Sequence, residues 1–140
     1  MARPVRLFPS SELARCVSML RITGVNRHAN PRKEFIALKN QGSVRVTFSG
    51  HAIAARNAYD GSPVVHLLTD DVMIPSRGHV IIFSGCGDPR WMKDEDGVPI
   101  YVTFLGTLQS IWEECDACFH VLSISHVFEE VVHHEYVGAI

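Results

Sequence analysis

Residues 34–50 read Glu-Phe-Ile-Ala-Leu-Lys-Asn-Gln-Gly-Ser-Val-Arg-Val-Thr-Phe-Ser-Gly, and the spacing of their apolar side chains decides the fold class. Successive side chains of an extended chain point to opposite faces, so Ile36 and Leu38 share one face while Phe35 and Ala37 take the other. Asn40-Gln41-Gly42 then supplies turn chemistry: a side chain that can bond its own backbone, and a glycine free of Cβ clashes. Beyond the turn, Val44, Val46 and Phe48 alternate with Arg45 and Thr47, the period-2 pattern of a half-buried strand. Ser49-Gly50 interrupts the run and suits a bulge or bend where the chain changes sheets before His51 to Ala55.

The same grammar extends in both directions. Upstream, Leu20, Ile22 and Val25 form the apolar side of a strand that ends in the turn-rich stretch Asn26 to Arg32. Met1 to Phe8 reads as an arm, and Ser10 or Ser11 caps a short helix through about Cys16. Downstream, a loop from Arg56 to Pro63 leads to a strand at Val64 to Leu68, then to a connection from Asp70 to Arg77. His79 to Phe83 is the most apolar strand and ends at Ser84-Gly85-Cys86-Gly87. Asp88 to Gly97 is the longest polar loop, with Tyr101 to Leu105 and Phe119 to Ile124 as strands beyond it. Val127 to Val137 is a final strand or hairpin arm. About eight or nine short strands, spaced near ten residues and divided by glycine- and proline-bearing turns, predict a β-sandwich or barrel. The expected organisation is an arm with a possible short helix over residues 1–17, a β-domain over 18–126, and an edge extension of that domain over 127–140.

Composition bounds the function. The chain has 140 residues, of which 46% are apolar and 20% charged, values that belong to a globular domain and not to a disordered one. A net charge of -2 argues against a protein built to neutralise phosphates. Charge is nonetheless polarised: Met1 to Lys33 holds seven cations and one anion, net +6, while Asp88 to Ile140 holds two cations and ten acids, net -8. Either the surface steers a charged partner, or the first and last strands lie together and the two sets offset each other. No apolar run has the length of a signal peptide or a membrane span, so the four cysteines are expected as reduced thiols in a cytoplasmic protein.

Several landmarks in order carry a family resemblance. They are Leu20-Arg-Ile-Thr-Gly-Val25-Asn26, Glu34 to Gly42, Val46-Thr-Phe-Ser-Gly50, Ile74-Pro-Ser-Arg-Gly78 running on to Phe83 and Gly87, and Trp112 before an acidic turn and a late strand. Over roughly Ser18 to Ile124 the chain resembles a lamin-tail domain, a module found in nuclear lamins and appended to diverse bacterial proteins. The resemblance implies an immunoglobulin-like β-sandwich that recognises or scaffolds other proteins and has no shared active site. Two positions depart from the family: His51 stands where an aromatic is common, and Glu113-Glu114-Cys115-Asp116 replaces an Asn/Gly-Asp turn. Heptads are absent, which excludes a filament-forming lamin.

Candidate chemistry is sparse. Cys115-Asp-Ala-Cys118 with His120 supplies three zinc-type ligands, and a C-terminal histidine such as His134 would have to complete the set. A redox pair would need a helix N-terminus, whereas the resemblance puts this segment at a turn entering a strand. The plainer reading is two ordinary cysteines, one in a turn and one half buried. Cys86 could act as a nucleophile only with His79 or His51 held beside it, and otherwise it is a turn residue. In the extended chain His133 and His134 point to opposite faces and do not share one ion. Phosphate-loop, dinucleotide and His-Glu-x-x-His patterns are missing, so neither a catalytic residue nor a cofactor is expected. Arg90-Trp91 is the candidate binding pair, a cation beside an exposed aromatic; alternatively Trp91 folds back as a lid. The expected function is therefore a non-catalytic protein-interaction or scaffolding module, with a homo-oligomer through an edge strand or the terminal arms as one arrangement. The alternatives are a metal-binding domain built on Cys115, Cys118, His120 and a C-terminal histidine, and nucleic-acid binding through the basic N-terminal segment.

Overall fold

The computed structural model describes residues 19–123. Within them the chain forms ten strands and no helix: β1 (Leu20–Asn26), β2 (Phe35–Asn40), β3 (Val46–Thr47), β4 (His51–Arg56), β5 (Pro63–Leu68), β6 (Met73–Ile74), β7 (His79–Phe83), β8 (Arg90–Lys93), β9 (Pro99–Phe104) and β10 (His120–Ser123). The all-β class expected from the period-2 pattern is what the described residues adopt. The short helix expected over residues 10–16 and the final strand expected over 127–137 lie outside them, as do the arm and the edge extension. No helix among the described residues is long and apolar enough to cross a membrane.

Three sheets result: five strands in the order β1-β2-β7-β9-β8, three in the order β10-β4-β5, and the pair β3-β6. All neighbours are antiparallel except β7 and β9, which run parallel. The register puts Ile36 opposite Ile82 and Leu38 opposite Val80, so alternate residues of β2 and β7 share one buried face. That face, with Leu20 and Tyr101, meets Ile53, Ala55 and Leu68 of the three-stranded sheet and Ile74 of β6 in one apolar cluster. Phe48, Trp112 and Cys115 enter it from the connections. Each such aliphatic or aromatic side chain contributes about 1.5–3 kcal/mol when fully buried, so the cluster is the main source of stability. The opposite face of the five-stranded sheet carries a row of rings, Phe35 edge-on to Phe83 at 5.5 Å and Phe83 stacked on Phe104 at 5.6 Å.

Three segments differ from the expectation. The strand expected over Val44 to Phe48 is reduced to Val46–Thr47, and Val44 is 69% exposed. The cause is Asn40. Its buried side-chain amide donates to the carbonyls of Val44, Ile74 and Pro75, and its Oδ1 accepts from the Gly42 N–H. Backbone groups that a ladder would have paired are bound to a side chain instead. The connection over 70–77 contains β6, which pairs with β3. The loop expected over 88–97 contains β8. A strand at a sheet edge with every side chain exposed shows no alternation, because backbone pairing to β9 holds it without a buried face. Gly50, expected as a bend, has φ 86°, the left-handed region that favours glycine, immediately before β4.

Candidate functional site

The expected binding pair lies on β8, at the end of the five-stranded sheet, where β9 is its one strand partner among the described residues. Arg90, Trp91, Met92 and Lys93 are all exposed, Trp91 and Met92 each at 46%. The strand is held in place by a turn in which Asp94 Oδ1 accepts from the N–H groups of Asp96 and Val98. Trp91 sits opposite Tyr101, with ring centroids 5.0 Å apart. Tyr101 is a fixed platform: its phenol donates to Asp70 Oδ2 at 2.7 Å, and the Thr103 hydroxyl donates to the same oxygen. Burial, the hydrogen bond to Asp70 and the negative charge of Asp70 push the phenol up to about 12. One face of Trp91 therefore rests on a rigid ring while nearly half the side chain remains open to solvent.

The Cys-x-x-Cys sulfurs lie in different environments. Cys115 is buried, with Sγ 3.8 Å from the Ile111 carbonyl. Burial, then the charge of Glu34, push its thiol up, against an opposing effect of Arg27. Arg27 Nη1 also donates to the Cys115 carbonyl at 2.5 Å, one point where the basic N-terminal set meets the acidic later segment. Cys118 is exposed, and its Sγ lies 3.5 Å from His120 Nε2. The segment is pinned to the end of β4 by backbone: Ala58 N–H to Glu114, Asp116 N–H to Arg56 at 2.8 Å, and a bridge between Asn57 and Cys115. Among the described residues no group of three His, Cys, Asp or Glu side chains is placed to hold a metal ion, and His134 lies outside them. Cys86 is exposed in its glycine turn after β7. His79 stands at the far end of that strand, roughly 13 Å away, and His51 is buried with Nδ1 against the Phe48 carbonyl at 3.1 Å. Neither histidine is set to serve as its base.

The most constrained polar group was not a candidate in the sequence. Glu34, fully buried, accepts hydrogen bonds from Ser84 Oγ at 2.6 Å, Ser110 Oγ at 2.7 Å, and the N–H groups of Ile111 at 2.8 Å and Trp112 at 3.2 Å. Burial by itself pushes this carboxyl up; the four hydrogen bonds together outweigh it and hold the group below its ordinary value. The carboxylate thereby nails the loop carrying Trp112 onto the end of the sheet. Trp112 in turn meets His66 and Phe119 edge-on at 5.5 and 5.6 Å. An acid at the head of an apolar strand is visible in sequence, but apart from the His28 N–H its partners lie 50 or more positions away.

Comparison with known protein families finds no family model that matches the chain, and comparison with curated proteins finds no match either.

Proposed function

We propose that the chain is a protein-interaction module of lamin-tail type, an immunoglobulin-like β-sandwich without a catalytic centre, that takes up an extended segment of a partner along β8. The sandwich reading is supported by the single apolar cluster to which the five- and three-stranded sheets both contribute. The family reading is supported by the roles of its landmarks: the Asn40 clamp, the positive φ of Gly50 and the buried Trp112.

The observation that carries the function is the edge itself: Arg90–Lys93, four exposed residues with Trp91 lying on Tyr101. An open strand edge offers a row of backbone donors and acceptors, and added strands bind such edges by main-chain hydrogen bonds with side-chain pockets for specificity. Charge selects the occupant. Two copies of β8 paired antiparallel about their centre would set Arg90 against Lys93 twice, and like charges directly opposite are destabilising. A partner strand with an acidic residue opposite each of Arg90 and Lys93, an apolar side chain to cover Trp91, and no acids beyond them to meet the flanking Asp88 and Asp94-Glu95-Asp96, meets both cations favourably. Selection from a displayed random-peptide library checks this. The expected outcome is enrichment of acidic, extended sequences whose binding shifts the emission of Trp91 and weakens with salt. Selected peptides that bind Arg90→Glu/Lys93→Glu protein as tightly as wild type would sink the reading.

A further inference from the structure

Cys118 and His120 line one cavity of about 500 Å³ together with Arg56, Asp116, Ala54 and Pro63. That volume falls within the range of small-molecule sites. Its lining therefore combines a thiol, an imidazole, a cation and an anion with the apolar Ala54, Ala55 and Pro63. The walls are not loose, since β10 is paired to β4 with His120 opposite Ala54, and the Asp116 N–H is bonded to the Arg56 carbonyl. Two ligands, Sγ and Nε2, fall short of the four that close a structural zinc site.

A thiol beside an imidazole and open to solvent is set up for different chemistry. Thiol–disulfide exchange requires the sulfur to lose its proton and an approach path to be free. Among the described cysteines this combination belongs to Cys118. Cys115 is buried, and Cys86, though exposed, makes no hydrogen bond to a described residue.

We propose that Cys118 is a site of reversible mixed-disulfide formation with small amino-acid-derived disulfides, His120 accepting the thiol proton and Arg56 and Asp116 holding the carboxylate and ammonium groups of the incoming molecule. The Sγ proton passes to Nε2 of His120 as the sulfur attacks one sulfur of the external disulfide. The external S–S bond breaks, a bond from Cys118 to the attacked sulfur forms, and the departing thiolate takes a proton back from the imidazolium. Protein thiol and disulfide become mixed disulfide and free thiol: Cys118 is oxidised, the external disulfide is reduced, and no other oxidant is needed. The buried Cys115 does not reach out to resolve the adduct, so it persists until a free thiol reverses the exchange.

The test uses full-length chain carrying Cys16→Ser and Cys86→Ser, treated with glutathione disulfide and followed by intact mass and peptide mapping. One adduct per chain, at Cys118, is expected. His120→Asn should slow the reaction about tenfold, both with glutathione disulfide and with the uncharged reagent 2,2′-dithiodipyridine. Arg56→Gln should slow the first reagent about fivefold and leave the second unchanged, because only the first carries a carboxylate. An unaltered circular dichroism spectrum separates these effects from unfolding, and in wild-type protein Cys86 serves as an internal clock. Modification of Cys86 as fast as Cys118, an unaffected His120→Asn rate, or a Cys115–Cys118 disulfide in place of the adduct would each overturn the proposal.

Discussion

At the scale of single residues, the energetics concentrate on buried polar side chains whose partners are distant in sequence. Glu34 accepts from two hydroxyls and three N–H groups, those of His28, Ile111 and Trp112, in a site closed to water. Removing the carboxylate leaves those donors without an acceptor, and hydrogen bonds to a charged group are each worth about 1.5–3 kcal/mol. Glu34→Ala is expected to lose about 3 kcal/mol or more in urea unfolding, with Trp112 emission moving to longer wavelength as its loop detaches. An unchanged midpoint would mean that the loop is held by its apolar contacts alone. Sequence reading had Glu34 as the first residue of the decisive stretch and Asn40 as a turn residue. It assigned neither its clamp, because burial and long-range bonding leave no local periodicity.

Elements show a different division. β2, β5 and β7 were legible because their burial alternates, whereas β4 and β9, buried on successive residues, were legible as short apolar runs between turn residues. β8 was read as loop because an exposed edge strand has no face to hide. Trp91→Ala should lower stability by no more than the ring pair with Tyr101 is worth, about 0.5–1.5 kcal/mol, while abolishing the binding of selected peptides. A large loss of stability would instead make Trp91 a lid on Tyr101. On the outer face, a Cβ placed on Gly87 would come within 2.5 Å of the Phe104 ring, the end of the Phe35-Phe83-Phe104 row. Gly87→Ala should therefore cost about 1–3 kcal/mol as the ring is displaced, measured by denaturant titration; no loss would show that the ring swings aside freely.

For the whole molecule, the buried ionisable groups make stability depend on pH in two stages. His51 and His66 have folded values lowered by burial from 6.5, partly offset in His51 by its backbone hydrogen bonds. A depressed value means that their contribution is fully present above 6.5 and is lost as pH falls through the lower folded value. Glu34, held below 4.5, acts later: its contribution is present above 4.5 and lost as pH falls through its own folded value. Thermal midpoints measured from pH 8 to pH 3 should fall in a first stage below 6.5 and a second below 4.5. His66→Phe keeps a ring against Trp112 and should shrink the first stage, while Glu34→Gln should flatten the second. A single stage unaffected by either substitution would place the acid sensitivity elsewhere.

What the sequence determined by itself was the class of structure. Alternation at period 2 leaves one way to bury Ile36, Leu38, Val80 and Ile82 together, as strands with a common inner face, and turn residues mark where each strand stops. Tertiary structure decided the rest. It split Cys115 from Cys118 between interior and surface, set Cys118 beside His120 and Arg56, turned Glu34 into a tie across the chain, and made a strand of Arg90–Lys93. The Glu34 tie and the burial of Cys115 depend on segments far apart in the chain, and a pattern of neighbours carries no record of which distant segments meet. The Cys118–His120 contact and the β8–β9 hairpin are local, but an exposed pair and an exposed edge strand leave no alternation to read.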